Sequence, residues 1–168
     1  VPQGLPVPLS AVSGILNFEN TTADMDLVSF LDKSKINLKG KIADNRADLK
    51  ISSDKFRAGD AFALIDGMFK MPFKEDFSSI ITKFDAAYSG PVEVIDLDKI
   101  ILNGKIYSNQ GSKNIVQISD GEYSLKNGTI KLSPVKGSFN SIPYNMHFSV
   151  ENAFSDNRKI SGVFRMNG

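Results

Sequence analysis

Few residues in this chain could do acid–base or metal chemistry, and they are scattered. The 168 residues include one histidine, His147, and no cysteine. The absence of cysteine rules out disulfides, thiolate nucleophiles and zinc–thiolate sites. His147 alternates with Tyr144, Met146 and Phe148, which places it on the polar side of a predicted strand. A lone histidine there is typical of a solvated side chain, and it lacks the partners that a metal site or catalytic triad requires.

Carboxylate pairs are the other candidates for catalysis. Retaining glycosidases hold two carboxylates about 5 Å apart, and an Asp-x-Asp spacing also begins many calcium loops. Asp96 and Asp98, however, lie in a short polar stretch typical of a turn before a strand, and the rest of a calcium loop is missing after Asp24 and Asp26. Nucleophile-elbow, phosphate-loop, zinc-protease and dinucleotide motifs are all missing from the sequence. The sequence therefore predicts no enzyme, no cofactor and no metal. The carboxylate pairs are Asp24/Asp26, Glu75/Asp76 and Asp96/Asp98.

The composition indicates a folded domain without a nucleic-acid partner. Hydrophobic residues make up 41% and charged residues 23% of the chain, which is typical of globular proteins. The 20 basic and 19 acidic residues are spread along it. No cluster of basic residues is therefore available to bind a nucleic-acid phosphate backbone. Twelve Phe, four Tyr and no Trp favour an apolar core or a lipid site over a sugar-binding platform.

Neither end of the chain has a targeting or membrane-spanning pattern. Residues 1–8 lack the basic start and apolar run of a signal peptide. No stretch approaches the ~18 apolar residues of a membrane span. The sequence begins without Met, and residues 159–166 still alternate as a strand does. We expect residues 1–168 to be a single β-rich module from a longer protein, whose anchor or targeting signal lies outside it.

Apolar and polar residues alternate along most of the chain. Alternation with a period of two is typical of strands with one buried and one wet face. Turn-forming residues separate most of these runs, and Asn127-Gly128 could be either a type I′ hairpin turn or part of a strand. The predicted strands cover residues 12–18, 36–42, 49–51, 84–94, 100–106, 116–118, 128–132, 135–139, 144–150 and 160–166. The predicted turns cover residues 44–46, 109–112, 120–121, 127–128, 141–143 and 155–157.

Two segments depart from this pattern and predict short helices. Phe62, Ile65 and Phe69 have helical spacing behind a possible N-cap at Asp60. Residues 24–31 form a weaker helical candidate.

A glycine recurs at the centre of the apolar stripes. Glycine weakens the interior of a strand, so its repeated presence needs a reason. One interpretation is that the glycines mark bulges or bends where a sheet curls. The other is that their missing side chains leave room for a bound guest. Both stay open from sequence. The positions are Gly14, Gly40, Gly90, Gly104, Gly137 and Gly162.

The order of these segments resembles the AsmA-like proteins of bacterial envelopes. The likeness is carried by VSGILNFEN at residues 12–20, DKSKINLKGKI at residues 32–42 and LKISS at residues 49–53. It continues in DGEYSLKNGTIKLSPVKGSFN at residues 120–140. It covers most of the chain except about residues 60–80.

The resemblance implies a long curled antiparallel or mixed sheet with an open apolar groove. It also implies a periplasmic location, an inner-membrane anchor in the parent protein, and phospholipid transport between the two membranes in support of envelope integrity. The partners would be acyl chains and neighbouring repeats, with membrane contact only through parts outside this chain. No catalytic residue is carried over. The alternative is a structural or adhesive β-solenoid or sandwich of a surface or secreted protein.

The candidate lining of the groove consists of large apolar residues from the alternating runs. These residues are Leu16, Phe18, Leu38, Ile42, Leu102, Ile106, Ile130, Leu132, Phe139 and Phe164.

Overall fold

A computed structural model describes residues 9–57, 80–108 and 116–166. Within these residues, the chain forms one ten-stranded antiparallel sheet that is not closed into a barrel. Each strand pairs with the next one in sequence, so the sheet is a simple meander. The mainly-β prediction is confirmed. The strands are β1 (Leu9–Glu19), β2 (Thr22–Leu31), β3 (Ser34–Ala43), β4 (Arg46–Arg57), β5 (Ile80–Pro91), β6 (Ile101–Ser108), β7 (Val116–Lys126), β8 (Thr129–Phe139), β9 (Ile142–Glu151) and β10 (Lys159–Met166).

Short turns with positive φ connect many of the strands. Asp44 and Asn45, between β3 and β4, have φ values of 49° and 61°, and Asn127 and Gly128, between β7 and β8, have 49° and 65°. Two consecutive positive φ values are the signature of the type I′ turn, whose twist matches that of the flanking strands. Asn127-Gly128 is therefore a turn. The predicted turn at 109–112 lies outside the described residues.

The helix predicted over residues 24–31 is wrong, because this segment forms β2. Met25 and Leu27 are half-buried, whereas Asp24 and Asp26, which alternate with them, are exposed, and this alternation is a strand pattern. The Asp26 carboxylate lies 2.8 Å from the Lys39 ammonium on β3. The charges therefore sit on the wet face of a strand. The other predicted helix, over residues 60–69, lies outside the described residues.

Further boundaries differ from the predictions. The predicted strands 128–132 and 135–139 form the single strand β8, and Ile142 and Pro143 of the predicted turn 141–143 lie within β9. Asp120-Gly121 is not a turn but lies within β7, with a register shift on either side, and Gly121 is buried beside the Val135 and Ile106 side chains. The strand predicted over 84–94 ends at Pro91, which pairs with Arg46, the first residue of β4, and whose carbonyl accepts a hydrogen bond from the Tyr88 hydroxyl. The polar stretch at Asp96 forms, as predicted, a turn before β6: it is a single 3-10 turn, Leu97–Lys99.

The core of the described sheet is thin. The strands make their main contacts with the strands beside them in the same sheet. A β-sandwich would require a second sheet packed on this one, and a β-helix would require parallel strands. Among the described residues, no helix is long and apolar enough to cross a membrane. The buried hydrophobic residues are Leu31, Ala47, Phe56, Leu125, Val135 and Tyr144.

Candidate functional site

Strand pairing gathers apolar side chains into a row that crosses the whole sheet. Directly paired residues of neighbouring strands lie on the same face, so the pairs can be followed from β1 to β10. Strands lie ~4.8 Å apart, so nine steps make a path of about 43 Å along the sheet. We call this series the apolar row and its side of the sheet the apolar face. The apolar row consists of Gly14, Leu27, Leu38, Ile51, Ala86, Leu102, Leu125, Ile130, Val150 and Ile160.

Further rows widen the apolar face on both sides of this path. They contain no charged side chain. One row is Leu16, Met25, Gly40, Leu49 and Tyr88. The row on the other side is Ser53, Phe84, Gly104, Tyr123, Leu132, Phe148 and Gly162. Beyond it lies Phe56, Thr82, Ile106, Gly121, Val135, Met146 and Phe164.

All ten predicted lining residues lie on the apolar face. Leu38, Leu102 and Ile130 belong to the apolar row itself, and the other seven lie in rows beside it. None of the ten is buried: Phe18 is 75% exposed and Phe164 54%, and the rest are exposed or half-buried. Within the described residues, these side chains are therefore not packed shut in a closed core.

The glycines of the apolar stripes do not leave notches for a guest. A Cβ at Gly90 or Gly104 would collide with the ring of Tyr88 or Tyr123, and a Cβ at Gly137 would collide with both the Gln117 carbonyl and the Tyr144 ring. At Gly14 and Gly40, a Cβ would collide with the backbone of the adjacent strand instead. Of the two interpretations left open by the sequence, guest space therefore does not hold at these five glycines. They let tyrosine rings lie flat or strands approach closely, which gives the face a continuous surface.

The half-buried Tyr123 and the buried Tyr144 leave the apolar face uncharged. The Tyr123 hydroxyl and Thr82 Oγ1 lie 2.6 Å apart, and Thr82 Oγ1 donates to the Lys105 carbonyl at 2.8 Å. Burial raises the pKa of Tyr123, although the hydrogen bond with Thr82 acts in the opposite direction. Burial also raises the pKa of Tyr144. Both phenols are therefore neutral near pH 7, and Tyr144 stacks against Phe164 with ring centroids 5.3 Å apart.

The opposite side of the sheet, which we call the polar face, carries the charges. Lys39 pairs with Asp26 at 2.8 Å, and Lys105 pairs with Glu122 at 3.1 Å. Lys83 lies 2.9 Å from Asp54, and this contact lowers the pKa of the Asp54 carboxyl. One row on this face is polar at nine of its ten positions. It consists of Ser13, Val28, Asn37, Ser52, Asp85, Asn103, Ser124, Lys131, Ser149 and Ser161.

Two shallow hollows lie mainly on the polar face. One, of about 620 Å³, is lined by polar side chains that include Lys105 and Lys131. The other, of about 420 Å³, includes Lys39 and Lys50. None of the ten predicted lining residues borders either hollow. Sequence reasoning missed these hollows, because the wet side of each run was interpreted only as solvated.

The candidates for catalysis stay apart. His147 lies on the polar face, where its Nδ1 contacts the Ser133 hydroxyl. Asp96 accepts a hydrogen bond from the backbone N–H of Asp98 at 3.1 Å and lies 3.4 Å from the Lys99 ammonium, so it caps a turn. Within the described ranges, no group of three or more His, Asp or Glu side chains could hold a metal ion. The Glu75/Asp76 pair lies outside those ranges.

Comparisons with family models, curated proteins and solved structures found no match. They identify no family for this chain. The resemblance to AsmA-like proteins therefore enters below only as part of a proposal.

Proposed function

We propose that this chain is a lipid-binding module whose apolar face holds phospholipid acyl chains. The observation that carries the proposal is the apolar row, which is continuous over ten strands and backed by a wet, charged face. A sheet that only supported a structure would cover such a face with a second layer. Here its large side chains, such as Phe18 and Phe164, are exposed among the described residues.

The dimensions of the face suit a hydrocarbon chain. A bilayer core of ~30 Å is two acyl layers thick, so one chain extends about 15 Å. The apolar row extends about 43 Å, which is long enough for more than one chain end to end. Each methylene that leaves water contributes about 0.8 kcal/mol. Because this force is not directional, binding needs a long apolar surface and no polar constellation.

The continuous surface of the apolar face affects which acyl chains it would bind. Tyr123 fills the space above Gly104, and Tyr144 fills the space above Gly137. An acyl chain would therefore lie along the face rather than in notches within it. We expect selectivity for chain length to exceed selectivity for chain shape, with the headgroup left in water.

The biological setting of the proposal rests on the resemblance alone. The segments at residues 12–20, 32–42, 49–53 and 120–140 resemble AsmA-like proteins. In that setting, a parent protein anchored in the inner membrane extends into the periplasm. Its repeats join their apolar faces, and phospholipids pass along them toward the outer membrane. This transport would contribute to the integrity of the envelope.

Adjacent residues of β6 offer a matched test of acyl-chain binding. Leu102 lies in the apolar row, and Asn103 lies on the polar face of the same strand. We expect Leu102→Asp to weaken binding of a fluorescent long-chain fatty acid at least ~10-fold, since a carboxylate then interrupts the apolar path. Asn103→Asp introduces the same charge and should bind as the unmodified chain does. Circular dichroism should show that both variants stay folded.

The alternative is a structural or adhesive module whose apolar face is covered by protein. It would be supported if the unmodified chain took up no probe. Equal loss of binding in both variants would show that charge, and not the apolar row, governs uptake. Either result would contradict the proposed function.

A further inference from the structure

The two edge strands of the sheet are long, exposed and incompletely protected. In β1, every side chain from Ser10 to Glu19 is exposed, as is every side chain of β10. An edge strand presents unpaired N–H and C=O groups, and proteins usually block it with prolines, bulges or very short strands. The bulge in β1 lies between Ser10 and Ser13, which leaves residues 13–19 paired in continuous register with β2. Neither that segment nor β10 contains proline.

The topology permits these edges to meet between two copies of the chain. Ten antiparallel strands make β10 run opposite to β1. A second copy in the same orientation can place its own β1 beside β10 of the first copy. That β1 is then antiparallel to β10. The meander then continues without a break, as a head-to-tail contact.

One register matches the two edges residue by residue. It places Lys159 opposite Glu19 of the second copy. Both residues lie on the polar face, because each alternates along its strand with residues of the apolar face. In the same register, Ile15 lies opposite Val163. These two are exposed apolar residues on the polar face, opposite Asp26 and His147 in their own sheet. Within the described residues neither side chain is covered, and their pairing would cover both.

The apolar face matches in the same register. Gly14 falls opposite Phe164, and Gly162 falls opposite Leu16, so a large side chain lies beside a glycine in each pair. The sheet already uses this arrangement where Tyr123 lies over Gly104. A slip by one residue would turn every side chain to the wrong face.

Charge favours this contact over the pairing of two identical edges. β10 carries Lys159 and Arg165 and no acidic residue, whereas residues 13–19 of β1 carry only Glu19. Like charges directly opposite one another destabilise a strand pair. In a pair of two β10 strands, Lys159 and Arg165 find no acidic partner, and in a pair of two β1 strands Glu19 finds no basic one.

We propose that this chain associates head to tail with a second copy of itself, through antiparallel pairing of β10 with β1 in the register that sets Lys159 opposite Glu19. The contact is heterologous, so it leaves a free edge at each end and predicts open-ended oligomers that grow with concentration. It does not depend on lipid binding, and it is tested in lipid-free buffer.

Single cysteines test the register directly, because the chain has no cysteine of its own. Ile15→Cys and Val163→Cys proteins are mixed under mild oxidation, and disulfide-linked dimers are separated on non-reducing gels. We expect the mixed dimer of these two variants to form at least ~5-fold more than the mixed dimer of Ile15→Cys with Ser161→Cys, whose position lies two residues out of register on the same face, with the Cα atoms roughly 8 Å apart. Equal yields in both mixtures would overturn the proposal.

The double variant Ile15→Cys/Val163→Cys distinguishes association from closure of one chain on itself. A ladder of linked dimers and trimers supports the head-to-tail contact. A product that is entirely an internally linked monomer overturns it, since the edges would then close within one chain.

Charge exchange provides a second readout that does not involve cysteine. By sedimentation velocity, Glu19→Lys and Lys159→Glu should each weaken self-association about two- to fivefold. The double variant Glu19→Lys/Lys159→Glu should restore it, because the opposite charges face each other again. Additive weakening in the double variant, or no concentration-dependent association in the unmodified chain, would contradict the pairing.

Discussion

Replacement of Gly40 by alanine is expected to lower the free energy of unfolding by about 3 kcal/mol. Gly40 lies in β3 between β2 and β4, with a φ of +157°. A Cβ at this position would overlap the Asp48 carbonyl and lie 2.9 Å from the Leu49 Cα. Both obstacles are backbone atoms of a paired strand. They can yield only if β3 and β4 separate and lose part of their hydrogen bonding.

The matched control is Gly162→Ala on the edge strand β10. A Cβ there lies 3.0 Å from the His147 carbonyl and 3.2 Å from the Phe148 ring, and one side of β10 is free to move. We expect a loss below ~1 kcal/mol for this control. In thermal unfolding followed by circular dichroism, Gly40→Ala should lower the Tm by about 6–12 °C. A Tm within ~2 °C of the unmodified chain would contradict the close approach of β3 and β4.

Truncation of Val135 to alanine is expected to cost about 2–3 kcal/mol. Val135 is only 1% exposed and has the largest fully buried side chain of the described residues. It lies between Gly121 on β7 and Met146 on β9. The loss of two methyl groups removes apolar contact and leaves a cavity, because the backbone on both sides is held by strand pairing.

Val94→Ala is the control for this truncation, since Val94 lies beyond the end of β5 and is 73% exposed. It should change stability by no more than ~0.5 kcal/mol. Urea unfolding of the three proteins gives the comparison. If Val135→Ala proved as mild as Val94→Ala, the thin core described for this sheet would be wrong.

Alternation along the chain was enough to predict most strands and the face of each candidate residue. Leu102 and Ile106 follow a period of two within one strand, so they share a face whatever the order of the strands. The Asn127-Gly128 pair also follows a local rule, since two residues of this type suit a type I′ turn. These features depend only on neighbouring residues.

Features that depend on pairing between strands could not be predicted from the sequence. The helix predicted over residues 24–31 is the strand β2, and the partner that makes Asp26 fit a strand is Lys39 on β3. In the same way, the ring that fills the space at Gly104 belongs to Tyr123, nineteen residues further along the chain. The register of β6 and β7, which brings the two together, is set by their pairing. The bulges in β7 around Asp120 are likewise a property of its pairing with β8.

The two proposals are separable but compatible. Head-to-tail pairing would extend the apolar face, because Phe18 and Leu16 of one copy would lie beside Ile160 and Gly162 of the other. Each added copy would lengthen the apolar path by about 48 Å at ten strands per copy. Lipid binding by a chain that does not associate would leave the proposed function intact, and association without lipid would leave the edge pairing intact.

Native mass spectrometry of the chain purified from a bacterial host, followed by lipid extraction of the same sample, tests the central claim most directly. The claim is that the apolar face holds acyl chains. It predicts adducts with phospholipid masses that are retained under mild activation and reduced in Leu102→Asp but not in Asn103→Asp. A bare protein mass, with no adduct after incubation with phospholipid vesicles, would contradict the claim and favour a face that is covered by protein.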